Sequence, residues 1–232
     1  MNSIENLKYL ENCLQEDITK IAKLYADVFA PPPWNESVKC NNPDDGQFKG
    51  LDTLIGSKCE CGGTFIEAYP LTETTEYINS EPKKLGFKII KVINDNEIVG
   101  FAWSYLTTPN NLVISKWKNY QDQENIITSL KLQGISSENQ IRYFSECGVS
   151  PSFRGNGLAN QLTILVSGKE ITIYRTNCLS PMMAVANRLG FIQFMGPEVI
   201  IDRQIKTIIE TGQSINFLDS ENSQRKLLIK KF

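Results

Sequence analysis

The residues best suited to chemistry lie together: Glu146-Cys147-Gly148-Val149, then Pro151, then Arg154-Gly155-Asn156-Gly157-Leu158-Ala159. The apolar run Ile141 to Val149 leads into them. Leu158, Leu162, Leu165 and Val166 follow at the spacing of an amphipathic helix. Strand, glycine loop and helix in that order place several backbone N–H groups, unobstructed by side chains, at the positive end of a helix dipole. A phosphate is the natural ligand of such a loop, although Gly155 and Gly157 would also serve a plain tight turn. Two nucleotide loops are disfavoured. Ser167-Gly168-Lys169-Glu170 lacks the first glycine and the hydroxyl of Gly-x-x-x-x-Gly-Lys-Ser/Thr, and Gly155-Asn156-Gly157 lacks the third glycine of Gly-x-Gly-x-x-Gly. ATP, GTP and NAD are therefore poor candidates.

The chain contains no histidine. This removes histidine general bases, serine–histidine and cysteine–histidine pairs, and every histidine-containing metal site. Proton transfer falls to Glu, Asp, Tyr, Cys, Lys, water or an N-terminus. Cys40 and Cys59-Glu60-Cys61-Gly62-Gly63 resemble half of a zinc ribbon, in which thiolates hold a tetrahedral ion and glycines turn the knuckle. A closed site needs a fourth ligand, from Asp44, Asp45, a distant thiol or water; without metal the same stretch is simply a loop.

The elements that must position these groups follow from periodicity. Ile18, Ile21, Tyr25, Val28 and Phe29 predict an amphipathic helix over 16–30, with Glu16 and Asp17 at its positive end and Pro31-Pro32-Pro33 as its stop. Residues 35–70 lack a sustained period and read as an irregular, cysteine-containing excursion. A short helix is expected over 71–79. Lys88 to Ile93, Asn94-Asp95-Asn96 and Ile98 to Leu106 form the pattern of an antiparallel hairpin. In its second strand Phe101, Trp103 and Tyr105 share one face and Gly100, Ala102 and Ser104 the other, where something can pack closely. With Trp34, the aromatics read as core or pocket lining. Residues 107–140 read as a polar insertion with a helix over 125–132. Ile171 to Arg175 predicts a strand, and Ser180-Pro181 to Leu189-Gly190 a capped helix. Phe191 to Phe194, Glu198 to Ile201 and Arg225 to Lys231 complete the strands, the last read as a charged edge carrying Arg225, Lys226, Lys230 and Lys231.

Length and composition bound these readings. A chain of 232 residues, 41% hydrophobic and 22% charged, has material for one sizeable globular domain. A net charge of −2 offers no broad basic surface for nucleic acid. No apolar run approaches the roughly 18 residues of a membrane helix. Without a visible signal peptide the expectation is a cytoplasmic protein whose six cysteines are mostly reduced.

Val149-x-Pro151-x-x-Arg154-Gly155-x-Gly157-x-Ala159 resembles the acetyl-coenzyme A loop of the GNAT superfamily of N-acetyltransferases. That signature, Gln/Arg-x-x-Gly-x-Gly/Ala, is matched by Arg154, Gly157 and Ala159. Downstream, Ser180 to Phe191 resembles the family's next helix, ending in Leu189-Gly190-Phe191 before a strand. The tightest resemblance covers residues 141–194. It implies an α/β (α+β) fold with a mixed, largely antiparallel central sheet flanked by helices, and an acetyl-CoA-dependent transferase of primary amines. Cys147, Gly148, Val149, Arg154, Gly155, Asn156, Gly157, Leu158 and Ala159 would then contact the cofactor. Glu146 would accept the amine proton, bind a cationic amine, or be a solvated strand residue. The family's tyrosine, which protonates the departing thiolate, is replaced by Ala186, leaving Tyr174, Tyr143, water or no acid at all. Cys147 would sit near the thioester but reads as a structural thiol. The acceptor is a small-molecule or peptide amine. The rival readings are a coenzyme A-binding regulatory or catalytically degenerate protein, and a zinc-stabilised interaction module built on residues 35–70.

Overall fold

The structure, a computed structural model, describes residues 7–12, 15–42, 48–195 and 225–231. The expected strand at 198–201 and the candidate ligands Asp44 and Asp45 lie outside the described residues. In chain order the elements are β1 (Lys8–Leu10), α1 (Gln15–Phe29), β2 (Val38–Cys40), β3 (Phe48–Lys49), β4 (Phe65–Glu67), α2 (Leu71–Ser80), β5 (Lys88–Asn94) and β6 (Glu97–Thr107). They continue with α3 (Pro109–Lys116), α4 (Tyr120–Leu132), β7 (Ile141–Val149), α5 (Leu158–Ser167), β8 (Thr172–Asn177), α6 (Met182–Arg188), β9 (Ile192–Met195) and β10 (Arg225–Lys230). This is an α/β fold built on largely antiparallel sheet with flanking helices. No described helix is long and apolar enough to cross a membrane.

The chain divides into two compact units, residues 1–106 with 144–168, and residues 107–143 with 169–232. Within the first unit the strand order is β1-β5-β6-β7. The hairpin forms because Asp95 and Asn96 accept left-handed backbone, at φ 48° and 67°, the turn whose twist matches the paired strands. Pairing of Ile89 with Trp103 and Lys91 with Phe101 sets the face predicted from alternation. Against that aromatic face α1 lays Ile18, Ile21, Tyr25, Val28 and Phe29, all buried. The small face of β6 receives α5: the Ser104 hydroxyl donates to the Val166 carbonyl at 2.7 Å, and a Cβ on Gly100 would stand 3.4 Å from Leu162 Cδ1. Lys91 and Asp17 form a buried ion pair between β5 and α1.

Residues 35–70 are more regular than the sequence reading expects, holding a second sheet in the order β3-β2-β4. Its strands have 2 or 3 residues, too few for alternation to register.

In the second unit β7 begins, and Arg142 N–H donates to the Ile171 carbonyl at 2.8 Å. Beyond it the order is β8-β10-β9. The charged-edge reading of residues 225–231 is overturned, since β10 pairs antiparallel on both sides and buries Leu227, Leu228 and Ile229. Lys226 is itself buried, with its ammonium donating to Gln193 Oε1 at 2.8 Å. The insertion at 107–140 holds two helices. Each starts on a side-chain cap: Thr108 Oγ1 accepts from Asn111 N–H and Asn119 Oδ1 from Asp122 N–H.

Arg142 also clamps Glu170, donating from Nε and Nη2 at 3.1 Å each. Those hydrogen bonds hold the Glu170 carboxyl down at about 2, against the upward push of its partial burial. Because the folded value lies below that of the unfolded chain, this stabilisation is complete above about pH 4.3 and lost as pH falls toward 2. In urea titrations between about pH 5 and pH 2.5, the midpoint advantage of the parent over Glu170→Gln should shrink steadily. A constant difference would show that the clamp is energetically idle.

Candidate active site

The loop after β7 is tied down from within. Ser150 N–H donates to the Val99 carbonyl at 2.9 Å, and a turn over Pro151–Phe153 brings Phe153 N–H to the Ser150 carbonyl at 2.9 Å. Arg154 Nε donates back to the Val149 carbonyl at 3.2 Å, and Asn156 Nδ2 to the Phe153 carbonyl at 3.1 Å. Gly155 and Gly157 then adopt φ of 83° and 76°, where a side chain is strained. A Cβ on either would meet nothing within 4 Å, so the space above the loop is open. Among the described residues, no acceptor engages the N–H groups of Gly155, Asn156, Gly157, Leu158 or Ala159. N–H groups without a protein acceptor at the N-terminus of a 10-residue helix suit an anionic ligand.

One strand supplies both the loop and the residues before it. Gly148 is required by packing: a Cβ there would fall 2.5 Å from Phe101 Cζ and 3.2 Å from Val28 Cγ2. Cys147 is half-buried, and burial, reinforced by the Glu146 charge, pushes its thiol up to about 12. It is neutral near pH 7 and no nucleophile.

Glu146 is half-buried and accepts a hydrogen bond from the Tyr77 hydroxyl at 3.0 Å. Burial first, then the Glu146 charge, pushes the Tyr77 phenol far above its usual range, and Tyr25 responds in the same way. Both remain protonated at any working pH. The rings of Tyr69 and Tyr77 stand edge-on to Tyr25 at 5.2 and 6.2 Å, and Tyr69 donates its hydroxyl to Glu36. Glu36 also adds to the negative field on Tyr25. Carboxylates facing protonated phenols among aromatic rings suit a cationic or amine-bearing ligand.

Tyr77, Tyr25, Tyr69 and Glu36 are the residues sequence reasoning missed. The available signals were slight: Tyr25 lies on the apolar stripe of α1, and Tyr77 beside buried Ile78 in α2. Trp103 and Tyr105 are core, and Trp103 Nε1 donates to buried Glu81 at 3.1 Å. Tyr174 lies in the second unit, buried, with its ring edge-on to Phe191 at 6.2 Å. Ala186 is buried in the same unit. The structure brings Cys40, Cys59 and Cys61 together, their sulfurs all within 4.8 Å of one another.

Strand, glycine loop and helix within largely antiparallel sheet make up a fold that this chain shares with solved N-acetyltransferases. The chain is similar to a polyamine N-acetyltransferase of Drosophila melanogaster that forms N-acetylagmatine, at 10% identity over 98% of this chain and 100% of that one, with a TM-score of 0.53. It is likewise similar to arylalkylamine N-acetyltransferase 2 of Aedes aegypti, at 12% identity over 98% and 99%, with a TM-score of 0.52. A Pyrococcus horikoshii protein gives 15% identity over 98% and 99%, with a TM-score of 0.51. No family model and no curated protein matches the sequence.

Proposed function

We propose that the chain transfers the acetyl group of acetyl-CoA to the primary amine of a small molecule by direct attack. The observation that carries this reading is the set of unengaged N–H groups from Gly155 to Ala159, open to an approaching anion at the start of α5. These donors bind the pyrophosphate, and exposed Arg154 adds positive charge beside them. Acetyl-CoA supplies an acetyl thioester when bound. Cys147, Gly148 and Val149 offer the backbone against which the pantetheine arm lies, and a backbone N–H there steadies the charge developing on the carbonyl oxygen.

Glu146 is the proton acceptor for the attacking amine, directly or through one water. Tyr77 orients the carboxylate by donating its hydroxyl to Glu146 Oε1 at 3.0 Å. The leaving group is a thiolate, far more stable as an anion than the attacking amine's conjugate base, so the tetrahedral intermediate expels it without a protein acid, in keeping with Ala186 at the position where the resembled family carries tyrosine. The carboxylate-and-tyrosine surround favours amines with cationic or aromatic character, the kind the similar enzymes are named for.

Calorimetric titration with acetyl-CoA, with ATP and NAD as controls, tests the reading. Selective binding is expected, followed by amine-dependent thiol release with agmatine, polyamines or arylalkylamines. No binding at millimolar ligand would withdraw the proposal. Binding without thiol release would leave a coenzyme A-binding protein.

A further inference from the structure

We propose that Cys40, Cys59 and Cys61 form a structural zinc site that staples the β3-β2-β4 sheet. The three sulfurs lie within 4.8 Å of one another, and those of Cys40 and Cys61 are 3.4 Å apart. A tetrahedral zinc with Zn–S near 2.3 Å separates its sulfurs by about 3.8 Å. The observed spacing needs only small shifts to admit the ion. A disulfide would instead draw two sulfurs to about 2.05 Å and strand the third.

The backbone around the sulfurs has the form of a metal knuckle. Cys59 N–H donates to the Gly63 carbonyl at 3.0 Å and Gly62 N–H to the Cys59 carbonyl at 2.9 Å, closing a tight turn in which Gly62 takes φ of 86°. Two further N–H groups point at sulfur: Asn42 N–H to Cys40 Sγ and Gly63 N–H to Cys61 Sγ, both at 3.4 Å. Such donors offset thiolate charge and orient the ligands, as partners around a metal do. The two segments are locked together: Asn41 N–H donates to the Thr64 carbonyl at 3.0 Å, and Thr64 N–H to Asn41 Oδ1 at 2.8 Å. A Cβ on Gly63 would fall 2.5 Å from Cys40 Sγ, so only glycine permits this approach.

The sheet has reason to require an ion. Its core consists of Val38, Cys40, Cys59 and Phe65 with Leu54 against them, and its strands are too short to hold by pairing alone. Cys40 and Cys59 are buried while Cys61 is exposed, so the fourth position opens on the Cys61 side, to water. Loading converts one Zn2+ and three thiols into a tris-thiolate zinc centre of net charge −1 and releases three protons. The ion fixes one end of β2 and β4. At the other end, Ala68 N–H donates to the Ser37 carbonyl at 3.0 Å, and Glu36 meets Tyr69.

The full chain, purified reduced and without chelator, should contain one zinc per molecule by plasma emission. After metal removal, Co2+ should give a thiolate-to-cobalt charge-transfer band that zinc bleaches, and zinc should raise the melting temperature. Cys61→Ser, at an exposed position, should weaken zinc binding on the order of 10²-fold and remove about one third of that band. Cys178→Ser, outside the cluster, should change neither. A folded, reduced chain that binds neither ion at micromolar concentration, or a Cys61→Ser variant with the full band and affinity, would overturn the proposal. So would a Cys40–Cys61 disulfide in chain purified under reducing conditions. None of these readouts depends on acetyl transfer.

Discussion

Gly157→Asp is expected to abolish measurable acetyl-CoA binding while leaving the far-ultraviolet circular dichroism of the parent. Gly157 sits at φ 76° with open space beyond it, so an aspartate side chain can be accommodated there and adds a negative charge beside the N–H groups of the loop. Aspartate tolerates left-handed backbone better than most residues, and the folding cost is about 1 kcal/mol. The electrostatic cost is larger: two unit charges 4 Å apart at an effective dielectric near 20 repel by about 4 kcal/mol, close to a thousandfold in affinity. Gly157→Asn has nearly the same shape without the charge and should keep most of the binding. Calorimetry on the pair separates repulsion from distortion. If both variants bind like the parent, the loop is only a turn and the cofactor reading fails with it.

Glu146→Gln should lower kcat by about 10²-fold or more with acetyl-CoA affinity unchanged. The amide is isosteric and its oxygen still accepts from Tyr77, so packing is preserved while the capacity to take a proton is gone. Tyr77→Phe makes the complementary change, keeping the carboxylate and deleting the hydroxyl that orients it, and its loss should be smaller. Kinetics with saturating acetyl-CoA also separate the two roles open to Glu146. A base shows its loss in kcat, whereas a residue that only holds a cationic amine shows it in KM. A Glu146→Gln enzyme as fast as the parent would remove Glu146 from the mechanism.

Elements with strong local signals were legible in the sequence. The hairpin announced itself through Asn94-Asp95-Asn96 between two apolar runs, and α6 through Ser180-Pro181 and Gly190. In each case the cue is a single chain segment whose chemistry admits few conformations. What escaped depends on contacts between distant residues. Tyr77 and Glu146 are 69 positions apart, and neither neighbourhood marks the other. Helix α3 escaped despite the Thr108-Pro109 start because only 8 residues follow, with little apolar periodicity. For β10 the sequence was misleading: four cationic residues around three apolar ones describe a surface strand. The long stem of Lys226 nevertheless lies buried while its ammonium finds Gln193.

The position of β10 has a consequence for biosynthesis. It lies between β8 and β9, yet β9 precedes it in the chain by some thirty residues, and it is the strand through which β9 joins the sheet. Residues 172–195 therefore leave the ribosome with two strand edges waiting for a partner not yet made. The second unit closes only when Leu227, Leu228 and Ile229 arrive to fill the gap, a non-local and slow event by its topology. A message stopped ahead of Arg225 would yield a chain with its glycine loop intact and two open edges, a species for chaperones and proteases.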